Sequence, residues 1–190
     1  MKYKTAIFLL LITVACTSTQ NKFVLTVTNG DKNAVQRYIL RGYDLEKPGT
    51  WYPWGGDGAV PGRTPLTEAA VGNQIEIGEI LIQAGANLET YDGFGQTALL
   101  AAAGHNQLEF VKLLLHSGAN PNASSVKGSS RAAIKSAFSN RNTDMIRLLL
   151  EYNAQLPGNY QNENPYRDDE EFRRSLDAIL LKRKDAQHVP

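Results

Sequence analysis

The chain has one cysteine, Cys16, in 190 residues, so an internal disulfide cannot form. It has three histidines, His105, His116 and His188, and none sits at the four-residue spacing that makes a two-ligand metal pair on a helix. The patterns H-E-x-x-H, G-x-x-x-x-G-K-[ST] and G-x-S-x-G are all missing, and with them the usual metalloprotease, phosphate-binding and serine-hydrolase chemistries. The glycines of "GFG" (93–95) and "GGDG" (55–58) are turn residues, because a phosphate cradle needs a strand before it and a helix after it. Excess charge of either sign is also lacking. The net charge is +1, and no basic patch of the kind that holds nucleic-acid phosphates is visible. No apolar run reaches the roughly 20 residues that span a bilayer. What remains, 42% hydrophobic and 21% charged residues, is the composition of an ordinary globular domain. These absences point away from an enzyme and from any cofactor or metal.

The first sixteen residues, "MKYKTAIFLLLITVAC", stand apart. Lys2 and Lys4 precede an uncharged run from Ala6 to Ala15, apolar except at Thr13, which is the pattern of an export signal over residues 1–15. A lone thiol directly after Ala15 resembles a bacterial lipobox, and that resemblance implies lipidation of Cys16. The residue three before the cysteine is Thr13 where that family usually has leucine. A plain cleaved signal with an incidental cysteine is the alternative. Thr17 replaces the aspartate associated with inner-membrane retention, so the resemblance implies a periplasmic protein anchored to the outer membrane. Residues 16–22 read as a polar tether.

Beyond the tether the chain echoes itself. "TPLTEAA" at Thr64–Ala70 returns as "TALLAAA" at Thr97–Ala103, 33 positions later. Each copy continues into a second apolar stripe, Ile80-Leu81-Ile82 in one and Leu113-Leu114-Leu115 in the other, and then into Gly85-Ala86-Asn87 or Gly118-Ala119-Asn120. Small residues in the first segment allow close approach, leucines in the second fill a layer, and the glycine stops the helix. One such helical pair cannot bury its own apolar faces, whereas a stack of them can.

These residues resemble ankyrin repeats, whose period is 33 and whose helix opener is T-P-L-H-x-A. The turn Asp92-x-x-Gly95-x-Thr97 also matches that family. The resemblance implies an all-α solenoid of about four helix-turn-helix repeats, at 23–46, 63–92, 95–125 and 130–157. In the last of these Asn153 takes the glycine's place. The family's histidine is replaced throughout, by Thr67, Leu100 and Lys135. After residue 157 a segment of 158–190 contains an acid-led amphipathic stripe, Phe172, Leu176, Ile179 and Leu180. A capping helix over about 168–184 is expected there, opened by Asp168 with Glu171 three residues on.

The first turn between repeats is about ten residues too long. The insertion, 47–62, carries Trp51, Tyr52 and Trp54 among glycines and prolines, and is expected to be an elongated β-hairpin. Tryptophan and tyrosine are enriched at binding hot spots. Tyr91, Phe94 and Lys127 fall in the later turns and would align with that finger. These six residues are the candidate partner-binding row, and packing of the aromatics onto the first repeats is the competing reading. The resemblance implies a protein-binding module whose partner is another protein. Exported bacterial ankyrin proteins similar to this one include immunity proteins of secreted toxins, particularly type VI effectors acting in the periplasm. An envelope scaffold or oxidative-stress accessory is the alternative.

Overall fold

The computed structural model describes residues 19–51, 60–126, 132–156 and 169–187. Four helical pairs follow one another: α1 (Thr19–Thr28) with α2 (Lys32–Leu40), α3 (Pro65–Val71) with α4 (Ile75–Gln83), α5 (Ala98–Gly104) with α6 (Leu108–His116), and α7 (Ala133–Ser139) with α8 (Thr143–Glu151). Between the first two pairs, β1 (Thr50–Trp51) lies antiparallel to β2 (Val60–Pro61), with Thr50 opposite Pro61 and Trp51 opposite Val60. The chain ends in α9 (Glu170–Gln187). Helices α1, α3, α5 and α7 pack successively into one layer and α2, α4, α6 and α8 into another, while α9 lies against α8.

Local chemistry sets the helix bounds. Thr64 and Thr97 are N-caps whose side chains accept the N–H of Thr67 and Leu100, and Pro65 takes the first helical position, where no N–H is needed. Asp31 and Asn142 cap α2 and α8 in the same way. Each first helix passes to the second through one left-handed residue, Gly30, Asn73, Asn106 or Arg141. Each second helix ends in another, Gly42, Gly85, Gly118 or Asn153. Asn153 adopts φ +63°, a conformation asparagine tolerates better than most residues.

The core is the layer between helices. Leu81, Phe110, Leu114, Ile146 and Leu149 are buried, with Ala69, Ala70, Ala102, Ala103 and Ala137 as the small contact surfaces between neighbouring first helices. The N-terminal end is closed by aromatics. Phe23, fully buried, stacks on Tyr38 at 5.3 Å, and Tyr43 meets Tyr38 edge-on at 4.8 Å. The C-terminal end is closed by Phe172, Leu176 and Ile179 of α9.

Polar side chains tie each repeat to the next. Glu46 Oε1 accepts the Asn87 N–H at 2.8 Å, Glu89 Oε1 accepts the Asn120 N–H at 2.7 Å, and Asn122 Oδ1 accepts the Gln155 N–H at 2.8 Å. Each acceptor is itself held by a turn, since Asp44, Asn87 and Asn120 accept the N–H of Glu46, Glu89 and Asn122 two residues on. At the opposite end of the helices, Gln74 donates back to Thr28 O and Gln107 to Val71 O. A neutral amide oxygen performs in the third repeat what carboxylates do in the first two. Glu89→Gln is therefore expected to leave stability nearly unchanged, while Glu89→Ala loses about 1 kcal/mol in urea unfolding. Equal losses in both variants would show that charge, and not the acceptor, is what matters.

Two bounds differ from the sequence expectation. The tether of 16–22 is shortened, because Thr19–Lys22 forms the first turn of α1. The buried Gln20 explains this: its amide donates to the Asp44 and Lys47 carbonyls at 3.0 and 2.7 Å and pulls that turn onto the stack. At the other end the cap of α9 is Asp169, not Asp168. Its Oδ1 accepts the Phe172 N–H at 3.0 Å, its other oxygen pairs with Arg141, and the helix runs past residue 184. Asp168 lies outside the described residues.

Candidate functional site

At the root of the hairpin the backbone is drawn very close. Gly62 N–H donates to Gly49 O at 2.7 Å and Gly49 N–H to Arg63 O at 2.9 Å. A Cβ on Gly62 would sit 2.9 Å from the Gly49 oxygen, so this position requires glycine. The next turns join the same edge through Gly93 N–H to Gly62 O at 2.8 Å and Val126 N–H to Gly95 O at 3.2 Å. The hairpin and the later turns therefore form one continuous rim.

That rim and the first-helix layer enclose a groove of about 610 Å³. Its wall is α1, through Asn21, Val24, Leu25 and Thr28. Gly49, Thr50 and Gly62 form the hairpin end, and Arg63, Glu68 and Phe94 the remaining side. Phe94 is presented by its turn, which Asp92 closes by accepting the Phe94 and Gln96 N–H groups at 2.9 and 3.0 Å. Leu25 and Phe94 are 56% and 46% exposed, a large apolar exposure for a groove wall. The Arg63 guanidinium lies 5.4 Å from the centre of the Phe94 ring and 3.3 Å from Glu68 Oε2. A smaller concavity of about 280 Å³ follows further along the stack, between Gln96, Leu100, Lys135 and Ser139, so the concave surface continues past Phe94.

Of the six residues expected in the binding row, Phe94 lies in this groove and Tyr91 does not line it. The Tyr91 hydroxyl donates to Ser124 O at 3.1 Å and bridges to the following turn. Trp51 is in β1, beside groove residue Thr50. Tyr52, Trp54 and Lys127 lie outside the described residues, as does Cys16. The groove also uses Leu25, Arg63 and Glu68, which sequence reasoning passed over. The available signals were weak: a leucine on the solvent side of the first helix, and an arginine directly before Thr-Pro-Leu. Among the described residues no cluster of three histidine, cysteine, aspartate or glutamate side chains could hold a metal ion. His105 is exposed at the end of α5, and His116 Nδ1 contacts the Lys112 carbonyl at 2.7 Å.

A family model for ankyrin repeats, in three copies, matches residues 23–125, more than half of the chain. The chain belongs to the ankyrin-repeat family. The fourth pair, α7 and α8, lies beyond the matched span and repeats the left-handed turns and inter-repeat links, although Ala132 stands where Thr64 and Thr97 cap the earlier first helices. No match is found among the curated proteins. Ankyrin repeats are protein-binding modules, typically non-catalytic, and they use the extended concave surface that stacking creates. No helix among the described residues is long and apolar enough to cross a membrane.

Proposed function

We propose that this ankyrin protein works in the bacterial cell envelope as an immunity protein, binding a periplasmic-acting secreted toxin and occluding its active site. The observation that carries the binding part is the preformed groove between α1, the hairpin root and Phe94. Its walls are fixed by packing and main-chain bonds, so docking costs little conformational entropy. The envelope part rests on residues 1–16, with an export signal followed by Cys16 as a lipid anchor. Because α1 starts at Thr19, only Thr17 and Ser18 would separate that lipid from the stack. The three Cα–Cα steps from Cys16 to Thr19 reach about 11 Å at most, which would hold the concave surface close to the membrane where a toxin arrives. Trp51, Tyr52 and Trp54 of the insertion would supply the anchors, with Tyr91 and Lys127 from the later turns.

The test is neutralisation. A candidate exported enzyme encoded beside this protein is produced in the periplasm, with and without it. Growth should be restored by the wild type. Changing Trp51 and Trp54 together to alanine should weaken the complex about thirtyfold or more, as hot-spot truncations do, at unchanged thermal stability. Binding without neutralisation would favour an envelope scaffold instead. Unaltered affinity in a folded double variant would assign the two rings to packing.

A further inference from the structure

We infer that the groove takes a partner segment in which an apolar side chain lies beside a carboxylate, and that Arg63 is the residue that reads the carboxylate. This rests on the protein-binding reading and specifies the chemistry of the bound segment. The groove walls are apolar at Val24, Leu25 and Phe94, which fits an aliphatic or aromatic side chain. The polar groups between them decide the rest. Asn21 and Thr50 are matched to each other: Asn21 Oδ1 accepts the Thr50 N–H at 2.6 Å, and Asn21 Nδ2 donates to Thr50 Oγ1 at 2.9 Å. Both Glu68 oxygens are engaged, Oε1 by Thr28 Oγ1 at 3.0 Å and Oε2 by Arg63 Nη1 at 3.3 Å.

Arg63 is different. A guanidinium has five N–H donors, and among the described residues Arg63 uses only one nitrogen, for Glu68. Its Nε is buried with no acceptor among the described residues. Its side chain is also more exposed than that of Glu68, 30% against 18%. The groove thus offers a partner the remaining Nη donors of Arg63, while the side-chain oxygens of Asn21 and Glu68 are already bonded. Phe94 underneath holds the guanidinium plane in place, and a planar fork against a carboxylate is the strongest charge-assisted pairing available to a protein. A basic partner segment would meet the guanidinium instead of an open carboxylate, and an all-apolar one would leave its remaining donors without acceptors.

Random twelve-residue peptides displayed on phage and selected on the purified protein test this. Enriched peptides should pair an aliphatic or aromatic residue with Asp or Glu. For a synthetic copy of the best one, changing its acid to the amide should weaken binding to the wild type about tenfold or more, and to Arg63→Gln hardly at all. Phe94→Ala should weaken both peptides alike. Enrichment of basic or acid-free peptides, absence of enrichment, or the same acid-to-amide loss with Arg63→Gln would overturn the proposal. Selected peptides that ignore both Arg63→Gln and Phe94→Ala would refute this groove chemistry while leaving protein binding by the stack intact. Loss of neutralisation with normal peptide binding would count against the immunity reading alone.

Discussion

Phe110→Ala should lower stability by about 3–5 kcal/mol, and it should reverse the sign of a second substitution, Gly78→Ala. Phe110 is completely buried in α6. Its ring occupies the space that a side chain on Gly78 of α4 would need: a Cβ there would lie 2.6 Å from Phe110 Cζ, 2.8 Å from Cε2 and 3.1 Å from Leu113 Cδ2. Gly-to-Ala inside a helix normally gains about 0.5–1 kcal/mol. Here the overpacking term opposes that gain and wins, with an expected net cost of about 1–3 kcal/mol for Gly78→Ala alone. Once Phe110 is alanine the two closest contacts are gone and only that with the flexible end of Leu113 remains, so the backbone gain should prevail and Gly78→Ala becomes stabilising in that background. Gly104, at the end of α5, is the control. Nothing lies within 4 Å of its missing Cβ, and Gly104→Ala should stabilise by about 0.4–1 kcal/mol. Urea-unfolding midpoints of the single and double variants decide the matter. Equal destabilisation by Gly78→Ala in both backgrounds would show that Phe110 is not what keeps that position bare.

Phe172→Ala should cost about 3–5 kcal/mol as well, but its effect should be local. Phe172 is buried at the C-terminal end of the stack, edge-on to Phe138 at 6.4 Å, with the Arg141 guanidinium 6.0 Å from its ring. Stacked repeats behave as a one-dimensional array in which each unit leans on its neighbours. Loosening α9 therefore uncovers α7 and α8 first. Hydrogen exchange should speed up strongly at their amides while those of α3 to α6 keep most of their protection. Uniform acceleration across all repeats would mean that the molecule opens as one unit and that α9 is not a terminal cap. Asp169→Asn, which weakens the pairing with Arg141 and the cap of α9 without emptying the apolar contact, should move the same amides in the same direction by less.

The two substitutions also mark how far the residues could be read in isolation. The helical pairs were legible because their causes are local. Thr64-Pro65 and Thr97 announce helix starts, the leucine stripes have helical spacing, and Gly85 and Gly118 end the second helices. The glycine at 78 has no such local cause. Within "IEIGEIL" it reads as a weak point, and its reason is a ring 32 positions later in the chain. The choice between Asp168 and Asp169 was equally closed to inspection. Two adjacent acids are interchangeable in a local capping pattern, and the contact with Arg141, 28 residues back, belongs to Asp169. The candidate site was legible at Phe94, which sits in a recognisable turn, and not at Leu25 and Arg63. Those two are neighbours of Phe94 only because successive repeats are superposed.

The sequence by itself determined that helical pairs would form, where most of them begin and end, and that they must stack, since the apolar faces of a single pair cannot be buried alone. Tertiary structure decided which polar groups remain open to a partner. Thr28 on α1 engages Glu68 on α3, Asn21 on α1 engages Thr50 at the hairpin root, and Arg63 lines the groove with Glu68 as its one hydrogen-bond partner among the described residues. Capping and helical periodicity act over three or four residues and are written in neighbouring positions. The Arg63–Glu68 pair is local, but the bonds that occupy Asn21 and the other Glu68 oxygen join partners about 30 to 40 residues apart, which are brought together only when the repeats pack.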